Sequence, residues 1–187
     1  SIIEKYPESS QFIYELLQNV DDAEATDVHI ILKRDEMLFK HNGKKRFDIT
    51  LDDAEQVGDI NSITGIGNSG KVETQNKIGK FGVGFKAVFQ YTDKPEIYDD
   101  VFKFKIENYI VPTLLQNDHP ERKQGETLFV FPFRNVERSF QDIESRLNNR
   151  KNPILFLHNL KRIVWRIDIN NNFGEEKEYS KQRIDHV

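Results

Sequence analysis

Cysteine is absent from the 187 residues. No disulfide, thiolate metal site or cysteine nucleophile can therefore contribute, a composition compatible with a reducing compartment. No window reaches the eighteen or so uncharged apolar residues that a membrane-spanning helix needs. Basic excess is missing too: 27 Lys and Arg face 31 Asp and Glu, for a formal net charge of −4. Because counterion release requires a basic surface, direct nucleic-acid binding is not expected, and a polyanionic ligand would need locally placed lysines or a metal ion. The five histidines, His29, His41, His119, His158 and His186, lack ligand spacing, which argues against zinc. The opening "SIIEKYPESSQF" has no leader pattern. These absences leave a soluble, cytoplasmic domain spanning 1–187 with one core, and "KQRIDHV", directly after a strand-like stretch, suggests a piece of a longer multidomain protein.

Local patterns divide the chain into helices and strands. Ser9 and Ser10 can cap a helix over 11–22, on which Phe12, Ile13, Leu16, Leu17 and Val20 form an apolar stripe. A hairpin follows, with Val28–Lys33 and Met37–Lys40 around a turn at Arg34 and Asp35. Thr50 with Asp53 suits a short helix through Val57, and 59–77 is polar and punctuated by glycine. Helical character returns over 83–91. Beyond it come a hairpin turning at Asp99 and Asp100, a polar loop over 117–125, and the apolar run "TLFVFPF" of a sheet interior. Ser139 with Asp142 suits the start of a further helix, and "KRIVWRIDI" alternates Ile163, Trp165, Ile167 and Ile169 on one face. The expected class is α+β, a two-layer α/β sandwich with helices on one face of a mixed sheet.

Six glycines fall between Ser62 and Phe89. Gly65 to Lys71 reads G-x-x-x-x-G-K, most of a Walker A loop, but Val72 stands where the magnesium-binding Ser or Thr belongs. No buried strand precedes it and no helix follows directly. The second set, Gly79, Gly82 and Gly84, opens a helix, where bare backbone N–H groups and the helix dipole suit phosphate. In "ELLQNVDDA", Glu15, Asn19 and Asp22 are spaced i, i+4, i+7 and lie along one edge of the apolar stripe. A carboxylate there can orient or deprotonate water, and an Asn carbonyl is a hard oxygen ligand for magnesium.

Together these stretches resemble the GHKL, or Bergerat-fold, ATPase superfamily of gyrase, the ninety-kilodalton heat-shock chaperone and histidine kinases. "ELLQNVDDA" is similar to its N-box, "KHNGKKRF" to a divergent first glycine box, and "GKFGVGFKAVF" to the second. "GETLFVFPF" stands where that superfamily has a threonine before a core strand. Within it, "IGNSGK" and "LFLHNLKRIVW" resemble the sacsin-type group.

The resemblance implies Mg-ATP as ligand, with Glu15 as general base, Asn19 as magnesium ligand and Asp22 in support. It implies a nucleotide-binding set of Asn19, Asp22, Ala23, His41, Asn42, Gly43, Lys71, Lys80, Phe81, Gly82, Val83, Gly84, Phe85 and Thr127, with Lys77 and Lys86 as further candidates for phosphate neutralisation. Gly79, Gly82 and Gly84 would cradle phosphates, Thr127 would lie near the adenine, and 59–77 would be a closing lid. The superfamily reads the adenine amino group with an Asp two residues before the first-box glycine. Here His41 stands there, and its imidazole or the Asn42 carbonyl is the candidate acceptor. The implied activity is slow, chaperone-like ATP hydrolysis coupled to rearrangement of downstream domains of the same chain, with dimerisation at full length. A nucleotide-sensing module without turnover and a histidine-kinase-type catalytic domain are the alternatives.

Overall fold

The computed structural model describes residues 11–43, 85–107, 111–148 and 153–181. Helix α1 (Gln11–Asp22) leads into strands β1 (Asp27–Lys33) and β2 (Glu36–His41). Helix α2 (Phe85–Tyr91) precedes β3 (Glu96–Tyr98), β4 (Lys103–Glu107), β5 (Val111–Leu114) and β6 (Thr127–Pro132). Helix α3 (Val136–Leu147), a 3-10 turn (Pro153–Phe156), β7 (Arg162–Asp168) and β8 (Lys177–Ser180) complete the elements among the described residues. All eight strands join one sheet in the order β5-β4-β3-β6-β2-β1-β7-β8. It is mixed, since β1 and β7 run parallel while the other pairs are antiparallel. The α+β class with a mixed sheet is as the sequence implied.

Register places Leu114, Phe104, Ile97, Phe129, Phe39, Ile30, Trp165 and Lys177 in one row across the sheet. From Phe104 to Trp165 this row belongs to the main core, where it meets the stripe of α1 (Phe12, Leu16, Leu17, Val20), Val88 and Phe89 of α2, and Phe140 and Ile143 of α3, while Leu114 at the edge is exposed. Phe12 ties the layers together, its ring 4.9 Å from Tyr91 and 5.4 Å from Phe131 in an edge-on contact. The other face carries a second cluster, Ile31, Leu38, Tyr98, Leu128 and Val130, with Leu115 packed on it. Strand β6 is buried on both faces, which is why "TLFVF" is continuously apolar instead of alternating.

Two local details differ from the sequence reading. Helix α3 starts earlier, capped by Asn135, whose side chain accepts from the Arg138 N–H; Ser139 lies inside the helix and is buried. The unforeseen strand β5 contains Pro112, which an edge strand tolerates because its outward positions need no ladder donor. The short helix expected over 50–57 lies outside the described residues.

Phe129, in the middle of the row, is fully buried. Phe129→Ala is expected to cost about 3–5 kcal/mol of unfolding free energy, against less than about 0.5 for the exposed Leu155→Ala, as read by chemical denaturation.

Candidate functional site

Helix α1 ends in a Schellman motif. The Ala25 N–H donates to the Val20 carbonyl and the Glu24 N–H to the Asp21 carbonyl, both at 2.9 Å, with Glu24 left-handed at φ 64°. A non-glycine residue there costs on the order of 1–2 kcal/mol, so the surroundings must hold it. Glu15 and Asn19 are half-buried on one flank of the helix, and the exposed Asp22 accepts from the Gln18 amide at 3.1 Å.

Adjacent residues of a helix point about 100° apart. Asp21 accordingly projects away from Asp22, at the opposite edge of the apolar stripe, and only 1% of it is exposed. Its carboxylate accepts the backbone N–H groups of His158 (3.0 Å), Asn159 (2.7 Å) and Leu160 (2.8 Å). Its carbonyl also accepts the Asn159 side-chain amide at 2.9 Å. Burial, the largest influence, pushes the Asp21 pKa up; the N–H bonds from Leu160, His158 and Asn159, aided by the charge of His158, outweigh it and hold the carboxyl below its ordinary value.

The segment His41–Gly43 folds back onto the end of α1. A Cβ on Gly43 would lie 3.1 Å from the Ala23 carbonyl oxygen, 3.2 Å from the Ala23 Cβ and 3.0 Å from His41 Nδ1, so the glycine permits a close approach. His41 is buried, its Nδ1 accepts from the Gly43 N–H at 3.0 Å, and its ring lies 5.6 Å from that of Phe129. Directly across the β2/β6 ladder from His41 stands Thr127, also buried. Asn42 closes the start of β1: its Oδ1 accepts from the N–H groups of Thr26 (2.9 Å) and Asp27 (3.0 Å), and its Nδ2 donates to Thr26 Oγ1 at 2.9 Å. Reading an adenine amino group through His41 Nδ1 or Asn42 Oδ1 thus requires exchanging a bond already made within the loop.

Thr127 is positioned by the loop that precedes it. The Arg122 guanidinium grips both Asp118 oxygens (2.8 and 2.6 Å), Asp100 (2.6 Å) and the Glu126 carbonyl (3.0 Å). Gly125, at φ 87°, donates to the Asp100 carboxylate, so a left-handed turn delivers the chain into β6. The structure therefore brings Ala23, just past α1, against Gly43 and sets Thr127 across the ladder from His41, while Asn19 and Asp22 lie in the last turns of α1 itself. Phe85 begins α2. Lys71, Lys77, Gly79, Lys80, Phe81, Gly82, Val83, Gly84 and the 59–77 stretch lie outside the described residues.

Sequence reading overlooked two of these positioning groups. Asp21 was detectable as a carboxylate one turn beyond Leu17, bordering the apolar stripe. Arg122 was not singled out in "NDHPERKQG": its partner Asp118 stands four residues before it, but its bond to Asp100 crosses 22 residues and is made only in the folded chain. On the face away from the helices, Asp27, His29, Lys40, Asn42, Glu126 and Arg162 help line a cavity of about 240 Å³. Burial, then the nearby Lys40 and Arg166 cations, lowers the His29 pKa. Among the described residues no cluster of three or more His, Asp or Glu is placed to hold a metal, and no helix is long and apolar enough to cross a membrane.

The amino-acid sequence matches the sacsin domain family over residues 1–107, more than half of the chain. The chain belongs to the sacsin domain family. Human Sacsin is 30% identical over 162 residues, covering 76% of this chain, and the Arabidopsis thaliana protein NO VEIN is 29% identical over 199 residues, covering 87%. This sacsin domain spans only 4% and 7% of those two relatives, respectively.

The Asp21 latch carries a pH signature. A carboxyl held below its ordinary pKa contributes stability that is complete above the unfolded value of about 4 and is lost as pH falls through the lowered folded value. Asp21→Asn is expected to cost about 1–3 kcal/mol at pH 7 and to flatten the acid limb of the stability profile below pH about 4, measured by denaturation across pH.

Proposed function

We propose that this sacsin domain binds Mg-ATP beside the C-terminal half of α1 and hydrolyses it slowly. One observation supports the reading: Ala23, just past α1, lies against Gly43, and Thr127 stands across the ladder from the adjoining His41. These segments lie far apart in sequence, and each is one that the ATPase resemblance marks.

In this reading Glu15 orients and deprotonates the attacking water. Asn19 offers its carbonyl oxygen to magnesium; one protein ligand suits this ion, which keeps several waters and takes the rest of its shell from phosphates. The bound magnesium would neutralise phosphate charge. Asp22 would support Asn19 from the last turn, and Gly79, Gly82 and Gly84 would supply N–H groups to phosphate, with Lys71 and Lys80 adding charge. Phosphoryl transfer asks the protein mainly for positioning and charge neutralisation, and these residues provide both. Closure of 59–77 over nucleotide, and rearrangement or dimerisation of domains beyond this chain, belong to the same reading.

Magnesium with a non-hydrolysable ATP analogue at a hundredfold excess over Kd is expected to add about 2.7 kcal/mol of stability, a rise of several degrees in Tm. No shift at millimolar nucleotide, with the fold intact, sinks the reading.

Two variants on α1 separate the assigned roles. Glu15→Ala should retain nucleotide affinity while turnover falls about 10²- to 10⁴-fold, because its carboxylate meets water and not phosphate. Asn19→Ala should weaken magnesium-dependent binding itself. Equal loss of binding in both, measured by calorimetry beside single-turnover hydrolysis, would contradict the separation.

A further inference from the structure

The motif "LFLHNLKRI" plays no part in the proposed chemistry, yet the structure gives it a partner. Five consecutive residues of it, His158 to Arg162, donate their backbone N–H groups into the α1–β1 connection. The first three reach the Asp21 carboxylate, and Lys161 and Arg162 reach the Thr26 carbonyl at 2.9 and 3.1 Å. The outer side of this strap is held from the end of β8. Lys181 Nζ donates to the carbonyls of Leu157 (2.7 Å) and His158 (3.3 Å), and the Lys181 N–H to that of Lys161 (3.2 Å). The strap is thus hydrogen-bonded on one side to the last turn of α1 and on the other to the residue after the last strand.

Asp21 lies between Asn19 and Asp22 in sequence. Rotating or sliding the last turn of α1 would carry the buried Asp21 carboxylate away from three backbone amides, that of the buried Leu160 among them, that have no other acceptor of equal strength. The orientation of Asn19 and Asp22 is therefore set by a bond made on the opposite flank of the helix.

We propose that Asp21 is the positioning residue of the nucleotide site and that its latch couples nucleotide bound beside α1 to the 157–162 strap and Lys181. The ligand in this inference rests on the Mg-ATP reading; the latch does not. Coupling of this kind is reciprocal, so a change imposed on the strap alters nucleotide affinity by the factor with which nucleotide alters the strap.

Amide hydrogen exchange followed by mass spectrometry, with and without magnesium and a non-hydrolysable ATP analogue, tests it. In the wild-type chain, nucleotide should slow exchange over 157–162. Asp21→Asn should speed that exchange about tenfold without nucleotide, raise the analogue's Kd about tenfold and abolish the nucleotide effect on the strap. Asn19→Ala should weaken nucleotide while leaving strap exchange in the free protein as in wild type, which separates loss of a ligand from loss of the latch. Wild-type nucleotide affinity in Asp21→Asn, or strap exchange that nucleotide does not alter in the wild-type chain, overturns the proposal. Absence of any nucleotide binding in the wild-type chain overturns the Mg-ATP reading and the coupling with it, while faster strap exchange in Asp21→Asn would still establish the latch. Should Asp21→Asn fail to fold, Asn159→Ala carries the test; it removes one bond to the Asp21 carbonyl, keeps the carboxylate paired, and should give the same pattern at about threefold amplitude.

Discussion

A single buried carboxylate with three amide donors governs how the two ends of this chain meet. Parallel strands cannot be joined by a tight turn, and β1 and β7 are separated by most of the sequence, so their register needs a local device. Asp21 and the Thr26 carbonyl supply it: between them they accept five successive N–H groups leading into β7, and the first ladder pair, Asp27 with Arg162, follows at once. Asn42 then fastens the opening of β1 to the end of β2. The end of the sheet where His41 faces Thr127 is thus built from hydrogen bonds to main-chain groups that would otherwise be orphaned where strands begin and a helix stops.

The two faces of the sheet have different duties. One is covered by α1, α2 and α3 over a continuous aromatic and aliphatic row, and this face holds the layers together. The other has a smaller apolar cluster, and a loop organised around Arg122 leads into β6. That loop contains few apolar residues, so charge pairing and main-chain acceptors hold it in place of a core. Its last residues place Thr127 opposite His41, so the order of a polar surface loop is felt at the site on the helical face.

Several elements were legible because their causes are local. The stripe on 11–22 marks α1 to the residue, and alternation about Arg34 and Asp35 marks the β1/β2 hairpin. The continuous apolar run of β6 marks a strand buried on both sides. Helix α3 starts four residues before the position that Ser139 with Asp142 suggests, because Asn135 caps it with its side chain alone, Arg138 offering no acceptor for a capping box, and packing buries Ser139 inside the helix. Strand β5 left no pattern, being four residues long, at an edge, and interrupted by Pro112.

By itself the sequence determined the class of the fold, the faces of its helices and the residue types able to serve a nucleotide, because periodicity and side-chain chemistry act over a few residues. Tertiary structure alone decided which of two adjacent aspartates is buried. Helical spacing puts Asp21 and Asp22 at opposite edges of the stripe without saying which edge will be covered; the donors that Asp21 needs lie 137 to 139 residues further along, on the segment that leads into β7 beside β1. The same holds for Gly43, His41 and Thr127. Their types were visible in the sequence, while the approach of Gly43 to Ala23 and the pairing of His41 with Thr127 follow from a helix end and a ladder register that only the folded chain brings together.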